Sequence, residues 1–475
     1  MSAAIITQVT APGEPSPHPP APGRSAEVAA WAASGAMWLT GPADSAPLGP
    51  PAGLVPRLRA IGAVVADRAA ALGNCLAAAA DPLGLLGQRA ALSGLHRQGS
   101  VSCGGATRLL PAGDRWVAVT LARPSDVELV PAWLEIDPSD VGAPVAAAPR
   151  PRMPAPAAPV TAGAPVPGPP GPAGDLVWGA VAARIATSPA EALVERARLL
   201  GLPVALLPAE PPHATLAPPP LAALPLRAVS TAGAPAPPPA GLAGVVVADL
   251  SSLWAGPLAG SLLAAAGARV VKVESTGRPD GARRGPVAFF DLLNAGKRSV
   301  AVDLRSPGGA RLLRDLLARA DVVVEASRPR GLEQLGIEAE ALLAGARPRV
   351  WVSITGHGRA RPQRDWTAFG DDAAVAGGLV SWHDGRPCFC ADAIADPASG
   401  LVAAAAALDA LATGGRWLLD VAMAGVAAHL AGPTLPAGDP APAALPPPVP
   451  APPPGRAPAL GRHTAEVLAE LGLTP

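Results

Sequence analysis

The chain of 475 residues has no tyrosine and only four phenylalanines, so aromatic side chains make up 3% of it. It also has only two lysines, Lys272 and Lys297, and its other 35 basic residues are arginines. Basic and acidic residues balance at 37 each. No net field therefore draws the chain to nucleic acid or to an anionic membrane, and we expect neither partner.

Cysteine is scarce as well, with residues at positions 75, 103, 388 and 390. Four scattered cysteines do not make a disulfide framework, and the one Cys-x-Cys pair has no second ligand pair at zinc-finger spacing. The first 23 residues lack a basic segment followed by an apolar one, and every apolar run is interrupted before about 18 residues. We expect a reduced, soluble, cytoplasmic protein without a metal.

Proline and glycine, by contrast, account for 114 residues, about 24% of the chain and near the compositional limit for disorder. Their Pro/Ala-rich stretches lack amide donors and predict extended or disordered backbone. The expected organisation is a disordered N-terminus (1–25), an N-terminal region (26–228) interrupted by a tether (142–174), a second region (241–432), a linker (433–456) and a C-terminal segment (457–475).

The two regions differ in pattern. In the first, residues 114–123 alternate apolar side chains as a strand does, and helical runs surround them, which predicts a small α+β domain. In the second, strand-like runs at 244–250, 268–274, 321–327 and 349–356 alternate with helical runs beginning at Pro257, Pro307 and Leu332. This alternation predicts an α/β, Rossmann-like parallel sheet with ligands at the carboxyl ends of its strands.

Asp396 begins the clearest helical run. With Pro397 behind it, Asp396 is predicted as the N-cap of that helix, an ordinary structural role. A carboxylate at a helix N-terminus is also kept ionised and suits catalysis. Asp392 is the alternative candidate. Neither a dinucleotide fingerprint, a P-loop nor a Ser-His-Asp order accompanies them.

Other polar residues form a cationic turn before the strand at 299–304. Asn294, Lys297 and Arg298 suit either a solvated turn or a phosphate contact, and Arg283 and Arg284 add to the same patch. A structural role is favoured for the remaining polar residues, which are His357, Asp371 and Asp372.

Several ordered segments of the second region resemble the class III CoA-transferase family (CaiB/BaiF), which includes formyl-CoA transferase and α-methylacyl-CoA racemase. The segments are residues 245–274, 292–329, 332–337, 348–358 and 392–401, with the ending at 457–473 similar to the family's C-terminal signature. The resemblance covers about half the chain.

The resemblance implies that Asp396 is the nucleophile that attacks an acyl-CoA thioester, with coenzyme A a substrate and a carboxylic acid the acceptor. It also implies a homodimer. The residues that match segments of the family's CoA site are Leu253, Trp254, Ala255, Gly256, Pro257, Asn294, Lys297 and Arg298. Arg283, from the basic patch beside them, completes the predicted CoA-binding residues.

Departures from the family pattern leave alternatives open. Trp254 stands where formyl-CoA transferase has Gln, and Ala326 and Ser327 replace a common Asn-Phe. A racemase of the same family is the second hypothesis, although Gly370, Asp371 and Asp372 stand where that branch has a His-Asp pair. A catalytically silent CoA-binding protein is the third.

Residues 31–41, 114–126 and 193–207 also look like family sequence but out of order. This order implies that the small domain has been moved ahead of the catalytic half, with one nucleophile per chain.

Overall fold

The computed structural model describes residues 23–74, 81–141, 171–212, 224–230, 236–435 and 445–473. The predicted N-terminal disorder and most of the predicted tether lie outside these residues, as does Cys75.

The helices are α1 (Arg24–Ala33), α2 (Leu54–Ala71), α3 (Gln88–Ser93), α4 (Pro124–Glu128), α5 (Val130–Leu134), α6 (Gly171–Ala186), α7 (Ala190–Leu200), α8 (Ala255–Ala265), α9 (Val287–Asn294), α10 (Pro307–Leu317), α11 (Arg330–Glu333), α12 (Ala339–Leu343), α13 (Gly370–Ala376), α14 (Ala395–Thr413), α15 (Met423–Leu430) and α16 (Thr464–Glu470). The strands are β1 (Thr107–Ala112), β2 (Arg115–Thr120), β3 (Val204–Leu206), β4 (Arg227–Ser230), β5 (Val246–Asp249), β6 (Arg269–Ser275), β7 (Arg298–Val302), β8 (Val322–Glu325), β9 (Val350–Thr355), β10 (Ser381–His383), β11 (Arg386–Cys388) and β12 (Trp417–Ala422).

A seven-stranded sheet in the order β4-β12-β9-β8-β5-β6-β7 forms the centre of the second region. All neighbouring strands are parallel except β4, which pairs antiparallel with β12. Its valine-rich strands are covered on both faces, by α2, α8 and α14 on one side and by α10, α12 and α16 on the other. The predicted α/β fold class is confirmed. The strand order reverses between β5 and β8, and such a reversal opens a crevice for ligands at the strands' carboxyl ends.

The four predicted strands of this region are β5, β6, β8 and β9, and the helix predicted at Pro307 begins there with Ser306 as its cap. The helix predicted from Leu332 is wrong as a continuous element. Gly336 takes a positive φ of 68° after the short α11, and a separate helix, α12, begins only at Ala339. A left-handed residue ends an α-helix, so the apolar spacing across this point does not extend one.

The smaller sheet, β1-β2-β3, is antiparallel and has both faces covered. Val117 and Val119 of β2 face a core completed by α5, α6 and α7, as their alternation predicts. Ala118 faces the other way, into a cluster with Val375 of α13 and Phe389. Both faces of this small sheet are therefore buried, and the second of them packs against the larger α/β domain.

Helices α1 and α2 pack on the larger α/β domain rather than on the small sheet. Trp31 and Leu58 share one hydrophobic core with Leu408 of α14, and Arg68 of α2 forms an ion pair of 2.5 Å with the buried Asp409 of α14. By length and composition α14 would pass for a membrane-crossing helix, but 89% of its apolar window is buried inside the protein. It is the central helix of the core, and the N-terminal segment lies against it.

Candidate active site

The first turn of α14 carries Asp396. The helix begins at Ala395 with Ile394 as N-cap, and the Asp396 N–H donates to the carbonyl of Ala393 at 2.8 Å. The predicted N-cap role of Asp396 is therefore wrong, because the chain turns into the helix two residues earlier. Among residues 391–400 Asp396 is the one that is partly exposed, while the other nine are buried. Asp396 is thus the one residue of this otherwise closed segment that reaches the surface.

The turn that leads into α14 is strained. Ala391 and Ala393 have φ values of 56° and 43°, a left-handed conformation that costs roughly 1–3 kcal/mol for a residue with a side chain. The Ala391 N–H donates to Thr40 Oγ1 at 3.1 Å. The Ala393 N–H donates to Asp371 Oδ1, also at 3.1 Å. Side chains from two distant parts of the chain therefore hold this turn in place.

Gly370, the first residue of α13, meets the nucleophile candidate directly. A Cβ atom added at Gly370 would lie 2.6 Å from the Ala393 carbonyl oxygen and would overlap the Asp396 carboxylate. The Gly370 N–H donates to that carboxylate. Asp396 thus lies at the N-terminal ends of two helices, its own and α13, where partial positive charge favours a carboxylate. Only glycine permits this approach.

Three acidic residues converge here, Asp371, Asp392 and Asp396, which we call the carboxylate cluster. Burial raises the pKa of Asp396 to about 7; Arg89 opposes this rise and the other two carboxylates add to it. Burial likewise raises the pKa of Asp371 to about 6. Asp371 and Asp396 therefore titrate near neutral pH, where Asp396 is divided between its acid form and the ionised form that a nucleophile needs.

Two other polar residues have structural contacts, the role favoured for them from the sequence. Asp372 Oδ1 accepts hydrogen bonds from Thr120 Oγ1 at 3.0 Å and from the Phe369 N–H at 2.9 Å. Burial raises the pKa of Asp372 to about 8, so this carboxyl joins α13 to β2 mainly in its neutral form. His357 packs edge-on against Trp366, and burial lowers the pKa of its imidazole to about 4.

The predicted CoA loop, residues 253–257, follows β5 at the strand reversal. Leu253 has a positive φ of 70° and is 42% exposed, and its N–H donates to Asp280 Oδ1 at 3.0 Å. A Cβ atom added at Gly400, one helical turn after Asp396, would lie 2.6 Å from the Ala255 carbonyl oxygen. The structure therefore brings this loop against the helix that carries Asp396.

The predicted cations are engaged by protein groups. Lys297 is enclosed, and its Nζ lies 2.8 Å from Asp249 Oδ2, 2.7 Å from the Pro257 carbonyl oxygen and 3.1 Å from Asn294 Oδ1. These three bonds use all three ammonium donors, so a direct phosphate contact by Lys297 requires their release. Arg298 pairs with two glutamates of α16. The assignment of these residues to CoA stays a prediction.

Arg283 pairs with Glu274 at 2.6 Å and also donates to the Pro458 carbonyl at 3.2 Å. The second lysine, Lys272, is buried against Asp280 at 2.9 Å and donates to the Ser251 carbonyl at 3.0 Å. Lys272 thus holds a carbonyl of the loop between β5 and α8, and Lys297 holds one in the first turn of α8. Their observed role is to shape the loop that the sequence assigns to CoA.

Arg89 is the site residue that the sequence analysis missed. It lies on α3, and its guanidinium binds Asp392 through Nε at 2.9 Å and Nη2 at 2.5 Å. The same guanidinium stacks over Trp254 at 5.2 Å from the ring centre. No local pattern distinguishes Arg89 from the other arginines, because its partner lies 303 residues further along the chain. Trp254 and Asp392, both singled out from the sequence, are connected through it.

Residues 242–463 match the family model for CoA-transferase family III, and the resemblance seen in the sequence is confirmed for this part of the chain. Succinate–glutarate CoA-transferase of Agrobacterium fabrum is 33% identical over 204 residues, which are 38% of this chain and 50% of that protein. Succinyl-CoA–D-citramalate CoA-transferase of Chloroflexus aurantiacus is 34% identical over 184 residues, covering 37% and 46% respectively.

Among solved structures, a CaiB/BaiF family protein from Brucella suis is 31% identical, with a TM-score of 0.36 over 40% of this chain and 54% of that one. The chain spans about half the length of the curated relatives that it matches.

Proposed function

We propose that this chain, whose residues 242–463 belong to the class III CoA-transferase family, moves CoA from an acyl-CoA thioester to a carboxylic acid with Asp396 as nucleophile. The observation that carries the proposal is the setting of Asp396. Asp396 is a partly exposed residue at the N-terminal ends of two helices, its carboxylate receives the Gly370 N–H, and its helix packs against the loop after β5.

The chemistry that this setting supports is covalent. An ionised Asp396 oxygen attacks the thioester carbonyl carbon and the C–S bond breaks. CoA departs as the thiolate, and an acyl-aspartyl anhydride remains on the protein. The thiolate then attacks the aspartyl carbonyl carbon, which releases the donor acid and forms an aspartyl-CoA thioester. The acceptor carboxylate attacks the aspartyl carbonyl carbon of that thioester, the C–S bond breaks, and CoA thiolate is released beside a second anhydride. The thiolate then attacks the acceptor's acyl carbon in this anhydride, which yields the new acyl-CoA and frees the Asp396 carboxylate. Each stage retains one activated acyl bond, either a thioester or an anhydride, so the exchange needs no other energy source.

The chain's own groups assist these steps in two ways. The Gly370 N–H and the two helix N-termini stabilise the carboxylate of Asp396 and negative charge that develops beside it. The strained turn at Ala391 and Ala393 fixes where the carboxylate points, and a fixed nucleophile lowers the entropic part of the barrier.

For the substrate class, the relatives supply the starting point. Their names point to short dicarboxylic acids, which are succinate, glutarate and D-citramalate. We propose succinyl-CoA as the first donor to test and glutarate and D-citramalate as the first acceptors.

The test is trapping of the covalent intermediate. The protein is incubated with acyl-labelled succinyl-CoA, quenched with hydroxylamine, and mapped by peptide mass spectrometry. We expect the hydroxamate at Asp396 and its loss in Asp396→Ala. Asp409→Asn, a carboxylate of the same helix that pairs with Arg68, is the control and retains the adduct. Absence of any adduct across a panel of thioesters, or an adduct that persists in Asp396→Ala, would reject covalent transfer.

The family resemblance also supports a homodimer, and the balanced charge and buried free thiols of Cys103, Cys388 and Cys390 support a reduced, cytoplasmic location. Light scattering tests the first of these. A mass near 46.9 kDa at all concentrations would contradict the dimer.

A further inference from the structure

The guanidinium of Arg89 is held by three separate elements around the proposed nucleophile. Its fork binds both oxygens of Asp392, its plane lies over Trp254, and a Cβ atom added at Gly104 would lie 3.5 Å from Nη2. The side chain is nevertheless 30% exposed. The described residues offer Nη1 no hydrogen-bond partner.

The charges around Asp396 come from few elements. Asp371 of α13 and Asp392 of the preceding turn face it, and Arg89 of α3 is the cation that acts on it. Helix α8, which packs on the other side, has no charged residue between Ala255 and Ala265. Arg68 of α2 is paired with Asp409, thirteen residues along α14 and about 20 Å away by helix rise.

Two more groups face the cluster without adding charge near neutral pH. Burial raises the pKa of the Cys103 thiol well above its ordinary value, and burial also raises the pKa of Asp372 to about 8. In the part of the chain that the structure describes, three carboxylates thus share one cation. Despite its burial, these carboxylates raise the pKa of Arg89, so it stays charged.

We propose that Arg89, supplied by the segment that precedes both folded domains, is the positioning residue of the transferase site. Through Asp392 it fixes the strained turn that carries Asp396, and its charge holds the three carboxylates together. The proposal rests on the proposed role of Asp396. It also explains why the N-terminal segment packs against α14: that segment completes the site.

The two partners of this ion pair affect Asp396 in opposite directions. Arg89→Gln removes the cation that favours ionised Asp396, and Asp392→Asn removes an anion that disfavours it. If the Arg89–Asp392 ion pair served only to hold the fold, Arg89→Gln and Asp392→Asn would both break it and would have the same effect on Asp396. The direction of the effect on Asp396 therefore distinguishes a charge-positioning role from a purely structural one.

The first experiment measures the rate of acyl-Asp396 formation between pH 5 and 9. We expect Arg89→Gln to move the acid limb upward by about 1 pH unit or more, and Asp392→Asn to move it downward. Arg89→Lys keeps the charge but loses the planar fork, so its acid limb stays near that of the wild type while its maximal rate falls at least about tenfold. The proposal would be overturned if the acid limbs of Arg89→Gln and Asp392→Asn shifted in the same direction, or if neither limb shifted.

A second experiment needs no substrate and keeps the inference separate from the proposed activity. The protein labelled with 13Cγ-aspartate is titrated by NMR, with the Asp396 signal assigned by its loss in Asp396→Asn. We expect its midpoint to rise in Arg89→Gln and to fall in Asp392→Asn. If these shifts occur but no adduct forms in any variant, the proposed function fails while the role of Arg89 in the cluster stands. Unchanged midpoints reject that role even if transfer occurs.

Arg97→Gln is the matched control. Arg97 lies in the same segment, and it donates to the backbone carbonyls of Trp38, Pro42 and Ser45 rather than to a carboxylate. We expect this variant to lower the thermal unfolding midpoint without moving the acid limb or the Asp396 titration. An equal shift in Arg97→Gln would assign the effect of Arg89→Gln to a loosened segment and would overturn the proposal.

Discussion

Replacement of Asp396 by asparagine tests the electrostatics of the site without any substrate. The folded-state pKa of Asp396, about 7, stands against an ordinary value of 3.8, and burial explains the difference. A carboxyl whose pKa is raised in the folded state contributes stability below pH 3.8, and that contribution is lost as the pH rises to about 7. The asparagine side chain of the variant cannot ionise and avoids the loss. Its amide oxygen still accepts the Gly370 N–H.

The difference of about 3 pH units corresponds to at most about 4 kcal/mol at alkaline pH. Water beside this partly exposed residue reduces this value, and we expect about 2 kcal/mol. Asp396→Asn should therefore unfold at a higher temperature than the wild type at pH 8.5, and by a margin about a quarter as large at pH 4.5, where the carboxyl of the unfolded chain is already mostly ionised.

Circular dichroism thermal scans give the midpoint difference between the variant and the wild type at each pH. Subtracting the difference at pH 4.5 from that at pH 8.5 cancels effects unrelated to ionisation. Asp315→Asn, an exposed carboxylate on α10, is the control and should shift neither midpoint. An Asp396→Asn midpoint shift that is equal at pH 4.5 and pH 8.5, or a variant less stable than the wild type at pH 8.5, would refute the reasoning.

Other predictions follow from close contacts. Gly370→Ala pushes a methyl group into the Asp396 carboxylate and should slow adduct formation about 100-fold in a folded protein, whereas Gly331→Ala, with open space around it, should not; equal rates would contradict the steric argument. Lys297→Met leaves Asp249 buried without its partner and should lower the free energy of unfolding by about 3–5 kcal/mol in denaturant titrations. Unchanged stability with a raised KM for acyl-CoA would instead favour a phosphate contact. Incubation with acyl-CoA alone in D2O should place no deuterium at the α-carbon, and rapid exchange would favour a racemase.

Much of the catalytic half could be predicted from local patterns. Valine-rich runs at 245–248 and 322–324 form strands because a sheet covered on both faces needs apolar side chains on both sides of each strand. Asp396 could be singled out because it precedes a long apolar run and lies in a segment resembling a known family. These signals act over a few residues, so no distant part of the chain is needed to detect them.

The cation assignments show where local patterns end. Lys297 and Arg283 belong to a polar turn and a loop in the sequence, yet Asp249 and Glu274 neutralise them in the fold. A buried charge is stable only with a partner. Which carboxylate pairs with a given cation depends on the side chains that the sheet brings together. The spacing of residues along the chain does not predict these pairs.

The sequence by itself determined the alternation of strands and helices and the candidate nucleophile, since both depend on neighbouring residues. Only the tertiary structure decided that Asp396 lies inside the first turn of α14, that Gly370 touches it, and that Arg89 reaches it from 307 positions earlier in the chain. Burial and charge pairing are properties of the assembled core. They raise or lower the ionisation of a carboxylate through groups that no local pattern connects to it.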